Sequence, residues 1–432
     1  WRRTWAVAAG LSSPGLGPNM SRIAQSGFEL DGESANSITT GTPDAYYITD
    51  FASHIIGRST TFVRSGTYSL GIDSGLGPNT SGVGLFPYVV GTHTDIYVQF
   101  FLLRTSNFAA QFSFLHFASN ATEAPTNLRG LVLRTNGAVA VYSNTGNQLG
   151  SDSAAKGTQT WVKIAYRFYQ SGGNQLVTVR IDDEEICTAQ TFRVTSAGTM
   201  TKFYRNDEDL GLYIDDFVVN NTSGSVNNSW PGPDKVVLLS PISDANVGLF
   251  TGGSGGTTNL YDAVDNLPPA GTATETNTTQ IECASSTTIV PTDSNAYRAN
   301  MKTYANAGIK AGQKITAISY GCAHGEDIAT GTKTGTIQLT SNPAAGSSTS
   351  YTVGDNAGAL NTYGLSGSNW RWAQATIIEE PSVTLSSSPV IGLGKTDGTT
   401  RVASWCSLEM YVAYIDQSFS PLKRFPFPIL NF

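Results

Sequence analysis

The sequence predicts an all-β chain built as two sandwiches. Two observations lead there. Short runs of β-branched and aromatic residues recur with period two between turn residues, and no window of helical length before residue 220 holds a 3.6-residue period. A polar stretch, NNTSGSVNNSWPGP at 220–233, then separates one such series from another.

Composition agrees. Of 432 residues only 14% are charged and 40% are hydrophobic, with 45 glycines, against roughly 25% charged in an average soluble protein. Polar surface must come from Ser, Thr, Asn and Gly. That profile fits a β-rich extracellular or virion protein rather than a helical cytosolic enzyme.

In the first series, YYITDF (46–51) is a short strand, and TTFVRSGTYSLGID (60–73) reads as two strands around Ser65-Gly66. DIYVQFFLLR (95–104) and AQFSFLHFA (110–118) are apolar on both faces, which places them mid-sheet. LVLRTNGAVAVYS (131–143) is a hairpin in which Asn136-Gly137 fits a type I′ turn. In TWVKIAYRFY (160–169), Val162, Ile164, Tyr166 and Phe168 share one face, and Lys163 and Arg167 the other. QLVTVRID (175–182) aligns Val177, Val179 and Ile181, and Asp182-Asp183 turns the chain. LGLYIDDFVV (210–219) closes the series. Residues 25–220 are therefore assigned to the first sandwich and 1–24 to an N-terminal arm. Met20 opens a stretch that looks like a natural start, so the preceding residues read as an extension, a processed remnant or a docking arm.

Residues 221–234 form the linker. Trp230 is its one large apolar group and is expected to act as a peg that fixes the angle between domains, stiffened by Pro231. The second sandwich spans 235–416. Its strands include QKITAISYGCAH (313–324), TGTIQLTS (334–341), WRWAQATII (370–378), PVIGLG (389–394) and the long TRVASWCSLEMYVAYID (400–416). GLFTGGSGGTTNL (248–260) reads as a flexible loop, and NAYRANMKTYANAG (295–308) as a short helix or a loop. In the tail, 417–432, Pro421, Pro426 and Pro428 forbid a helix or a central strand. Phe425, Phe427, Ile429, Leu430 and Phe432 make it too apolar to lie free in water, so it is expected to pack on its own domain or dock on a neighbouring subunit.

The chemistry is sparse. His54, His93, His116 and His324 have no partner at metal-ligand spacing, and Cys187, Cys283, Cys322 and Cys406 are too scattered for zinc; buried free thiols are expected. Asp182-Asp183-Glu184-Glu185 reads as a solvated turn. Asp215 and Asp216, neighbours on one strand, are expected to point to opposite faces and not to act as a pair. No cofactor is expected; Ca²⁺ is the one ion that these carboxylates leave open. GxSxG and P-loop motifs are missing. A net charge of −7 without a Lys/Arg run argues against nucleic acid, and no apolar run is long enough to span a membrane. Trp370 and Trp372 stand two apart on a strand, so they face one way. They could stack on a sugar, meet a subunit or fill a core.

TWVKIAYRFYQSGGNQLVTVRIDDEEI (160–186) resembles the core signature of concanavalin A-like, or laminin-G-like, jelly rolls. Trp161 and Asp182 match, while Asp183 stands where that family usually has Gly. LGLYIDDFVV resembles the family's late strand. The resemblance implies an N-terminal jelly roll and says little about ligand. The acid motif ExDxxE of its glycosidase members is missing from the sequence. VNNSWPGPDKVVLL followed by YDAVDNLPPAGTATETN, with Asp262, Val264, Asp265 and Pro268, resembles tail-associated structural proteins of tailed bacteriophages. It implies a non-enzymatic virion protein that works by self-assembly, as a homo-oligomer (trimer or higher) docked to other virion proteins. The alternative is a lectin-like module for host-surface glycans.

Overall fold

The computed structural model describes residues 21–27, 48–50, 56–72, 83–85, 95–118, 128–194, 200–203, 211–252, 257–264, 280–283, 285–326, 333–340, 349–353, 371–374, 378–395 and 403–416. The chain is all-β. The first fifteen strands are β1 (Arg22–Ser26), β2 (Ile48–Asp50), β3 (Ile56–Ser59), β4 (Ser69–Ile72), β5 (Val83–Leu85), β6 (Asp95–Arg104), β7 (Phe112–Ala118), β8 (Gly130–Leu133), β9 (Val139–Tyr142), β10 (Gln148–Leu149), β11 (Val162–Ser171), β12 (Asn174–Ile181), β13 (Glu184–Arg193), β14 (Met200–Phe203) and β15 (Leu212–Asn221). They make two antiparallel sheets. One runs β13-β12-β11-β6-β15-β4-β3, with β1 added on β15, and the other runs β10-β9-β8-β7-β14-β5-β2.

Period-two alternation explains the packing. Val162, Ile164, Tyr166 and Phe168 of β11 face inward with Ile96, Val98, Phe100 and Leu102 of β6, and meet Phe112, Phe114, Leu131 and Val139 of the opposite sheet in one buried core. Phe117 stacks edge-on against Tyr166 and Phe192 at its centre.

The remaining elements are β16 (Lys235–Leu239), β17 (Pro241–Asn246), β18 (Thr251–Gly252), α1 (Tyr261–Val264), β19 (Ile281–Cys283), β20 (Tyr297–Met301), β21 (Gln313–Glu326), β22 (Lys333–Leu339), β23 (Thr349–Val353), β24 (Arg371–Gln374), β25 (Ile378–Glu379), β26 (Val390–Lys395) and β27 (Ala403–Asp416). One sheet runs β18-β19-β27-β21-β24, with β16 on β27 and β25 on β21; the other runs β17-β20-β26-β22-β23. A second core fills the space between them, with Phe250, Tyr297, Tyr320, Trp405 and Met410 buried. Among the described residues no helix is long and apolar enough to cross a membrane.

Four local expectations change. Residues 297–301 are a strand, not a helix or loop: Tyr297, Ala299 and Met301 alternate inward while β17 and β26 take the backbone bonds. The two strands expected around Ser65-Gly66 lie farther apart, as β3 and β4, and the Arg64 and Ser65 amides between them donate to Asp215 rather than to a ladder partner. The hairpin at 131–143 forms, but Gly137 alone of its turn pair has positive φ (82°), with Gly137 N–H donating to Arg134 O. It is therefore not type I′, which needs two such residues. Asp182 and Asp183, at φ 51° and 69°, do form that two-residue turn. Arg22 to Ala24, counted above with the arm, belong to β1.

Candidate functional site: the joint between the sandwiches

A cluster of buried polar residues, among them Arg22, Gln25, Asp215, Asp216 and Asp234, lies where the two sandwiches meet. The cause is a bulge in β15. Its pairing with β6 runs in register to Asp215 opposite Phe101, then slips before Val218, and Asp216 takes φ 53°. The bulge cancels the alternation that would have put Asp215 and Asp216 on opposite faces. Both carboxylates are fully buried and turn to the same segment, Arg64-Ser65. The expectation that they point to opposite faces is corrected here.

Asp215 Oδ2 accepts the Arg64 and Ser65 amides (2.8 and 3.2 Å), and its Oδ1 accepts the Asp216 amide (2.8 Å). Asp216 Oδ1 accepts Val236 N–H at 2.6 Å and the Ser65 hydroxyl, while Oδ2 pairs with Arg64 Nη1. Arg64 Nη1 also donates to Asp234 O at 2.8 Å, and the guanidinium lies 3.2 Å over the Phe101 ring. One arginine thus ties the first sandwich to the linker, and Asp216 carries the connection to Val236 at the start of the second. Burial, then the charge of Asp216, pushes Asp215 well above the usual carboxylate range. Burial raises Asp216 too, against the pull of Arg64. Tyr414, across the joint, is pushed up to about 12 by burial.

β1 supplies the rest. The fully buried Arg22 donates to Asn220 Oδ1 (2.7 Å), Gln25 Oε1 (3.2 Å) and Asp234 Oδ2 (3.5 Å). The amides of Ser21 and Arg22 bond Glu379 Oε1 at 3.2 and 2.6 Å. Gln25 Nε2 reaches Ser319 Oγ (3.3 Å) and Tyr411 O (3.1 Å). Asn227 of the linker donates to Thr316 O and Glu379. Val218, Val236, Ala317, Tyr411 and Ala413 form an apolar patch across the same seam.

Trp230 packs edge-on against Tyr97 (5.2 Å between centroids) and under Arg180 (4.3 Å). Both partners belong to the first sandwich, so Trp230 fastens the linker to that sheet. Contacts to the second sandwich come from Asp234, Asn227, Asp216 and the β1 residues Ser21, Arg22 and Gln25. Together the linker, the 60–68 segment and the second sandwich roof the outer face of β6 and β15, where Tyr97, Gln99, Phe101 and Asp215 are all buried.

Trp372 lies in β24, a sheet edge, opposite Ala323. Trp370 and the tail with Phe425, Phe427, Ile429, Leu430 and Phe432 lie outside the described residues. Cys187, Cys283 and Cys322 are buried and in no disulfide, and burial pushes the Cys187 thiol up to about 11. Asp182 and Asp183 pair with Lys156 and Lys163 at the hairpin tip. Among the described residues no cluster of three or more His, Cys, Asp or Glu is placed to hold a metal.

No protein-family model and no curated protein matches the chain. Among solved structures it resembles the cellulose-induced protein Cip1 (12% identity, 46% of this chain and 99% of that one, TM-score 0.32). A carbohydrate esterase of the Shiga toxin-encoding bacteriophage phi24B follows (13%, 43% and 93%, 0.31). The N-terminal CBM22 tandem of Xyn10C from Paenibacillus barcinonensis matches along most of both chains (11%, 92% and 99%, 0.24). At these scores the likeness identifies neither family nor ligand.

Proposed function

We propose that the protein is a non-enzymatic structural component of a bacteriophage virion, working by self-assembly and by docking to other virion proteins. The buried joint carries this reading. Two sandwiches linked only by a Gly/Ser/Asn connector would move independently. Here the connector is held by buried ion pairs and amide bonds at Arg22, Arg64, Asp216 and Asp234. A fixed angle between two β bodies suits a part that must repeat identically in an assembly. The order of linker and α1 region, resembling tail-associated proteins, supports the same reading. The expected state is a homo-oligomer. Mass spectrometry of the native chain at micromolar concentration, and antibody decoration of purified virions, test it.

A glycan-binding reading stands second. It is favoured by Tyr97, Tyr169, Trp230, Arg167 and Arg180 clustering on one sheet face. It ranks below assembly because Arg167 and Arg180 already cover ring faces that a sugar would stack on. Glycan-array binding lost on Tyr169→Ala would raise it.

A further inference from the structure

We propose that one end of the first sandwich is an anion site: Arg104, in a small cavity between the two sheets, takes a monovalent anion the size of chloride or bromide. The site faces the interior of the first sandwich, not the joint, and does not depend on how copies of the chain assemble.

Alternation puts the arginine there. Ile96, Val98, Phe100 and Leu102 of β6 point into the first core, so the next inward position is Arg104, 5% exposed at the end of the strand. It lines a cavity with Leu102 and Val162 from one sheet and Leu133 and Val139 from the other. Gly137 leaves room for the guanidinium: a Cβ there would come 2.1 Å from Nη2. Its hydrogen bonds all go to neutral oxygens, from Nη1 to Ser106 O (3.0 Å) and Asn107 Oδ1 (2.7 Å) and from Nη2 to Lys156 O. Nε is buried and has no partner among the described residues. Arg22 and Arg64, by contrast, each meet an aspartate. Among the described residues no carboxylate does this for Arg104: Asp182, close to the same wall, is held by the Lys156 ammonium at 2.6 Å. Burial lowers Arg104 from the ordinary guanidinium range, and no neighbouring charge offsets it. A buried cation without a counter-ion is costly, and a bound anion removes that cost. Size and wall chemistry then choose the anion. The free volume is about 10 Å³, room for one water-sized body, which excludes sulfate, phosphate and a sugar ring. Four apolar side chains in the wall favour chloride or bromide over fluoride, which gives up more hydration on entry.

The test melts the full chain at constant sodium concentration and ionic strength while fluoride is replaced by chloride or bromide. Binding to the folded state raises the melting temperature saturably, by roughly 5–10 °C at a hundredfold excess over Kd. General salt exclusion acts in the opposite sense, because strongly hydrated anions are the ones that favour the folded state. Arg104→Leu should abolish the shift. A parent chain that melts no higher in chloride or bromide than in fluoride overturns the site, and so does an Arg104→Leu chain that keeps the whole shift. Should Arg104→Leu not fold, anomalous scattering from crystals of the parent chain soaked in bromide decides. A bromide peak in contact with the Arg104 guanidinium supports the site; none at that place overturns it.

Discussion

Asp216→Ala removes the carboxylate on which the joint converges, and its cost can be worked out from its partners. The residue is fully buried and its Arg64 partner's side chain is only 13% exposed. Breaking a buried pair from one side leaves an uncompensated guanidinium, which costs about 3–5 kcal/mol. The Val236 amide, 2.6 Å away, also loses its acceptor, and an unsatisfied buried donor costs about 1–3 kcal/mol. These overlap, so the expected loss is about 3–5 kcal/mol, a drop in melting temperature of roughly 6–20 °C for domains of this size. Arg64→Ala in the same chain should recover part of it, with a coupling of about 1–3 kcal/mol between the sites. Equilibrium urea unfolding of the parent, both single variants and the double variant measures this. A loss below about 1 kcal/mol, or purely additive single effects, would refute the claim that this pair holds the sandwiches together.

Two further outcomes follow from the same seam. Gly27→Ala forces a Cβ to within 2.2 Å of Val236 O; overpacking of this kind costs about 1–3 kcal/mol, whereas Gly157→Ala, whose nearest neighbour is Thr160 Oγ1 at 3.4 Å, should be close to neutral in the same denaturation assay. The pH response follows from Asp215. Its folded pKa is raised by burial and by Asp216, so the folded chain holds a proton that the unfolded chain releases. That contribution is fully present below the ordinary carboxylate range and is lost as pH rises through the raised value. Asp215→Asn should flatten this slope, so that its stability relative to the parent changes with pH through the range in which Asp215 titrates; an unchanged slope would assign the titration elsewhere.

Strand content was legible in the sequence wherever alternation was clean, as in β11, where Val162, Ile164, Tyr166 and Phe168 face the core. Fold class came from that periodicity, which local sterics and burial impose directly. The joint was not legible. Asp215-Asp216 stood out only as two adjacent acids, and strict alternation separates such residues. A non-glycine residue at positive φ reunites them, and nothing in YIDDFV announces the bulge. Arg22, Arg64, Gln25 and Glu379 were missed for a related reason: each lies at least 151 residues from the partner it bonds, and spacing along the chain carries no sign of such contacts. The 297–301 segment misled because Tyr297 and Met301, four apart, fit a helical spacing as well as a strand's, and Tyr304, which lies beyond the strand, extends only the helical one.

A chain with a fixed inter-sandwich joint should build a repeating assembly, and the native mass of the full chain at micromolar concentration decides it. A closed oligomer is expected, with negative-stain images showing a symmetric particle. A mass of one chain across the whole concentration range, with the second sandwich at variable angles to the first, would contradict it.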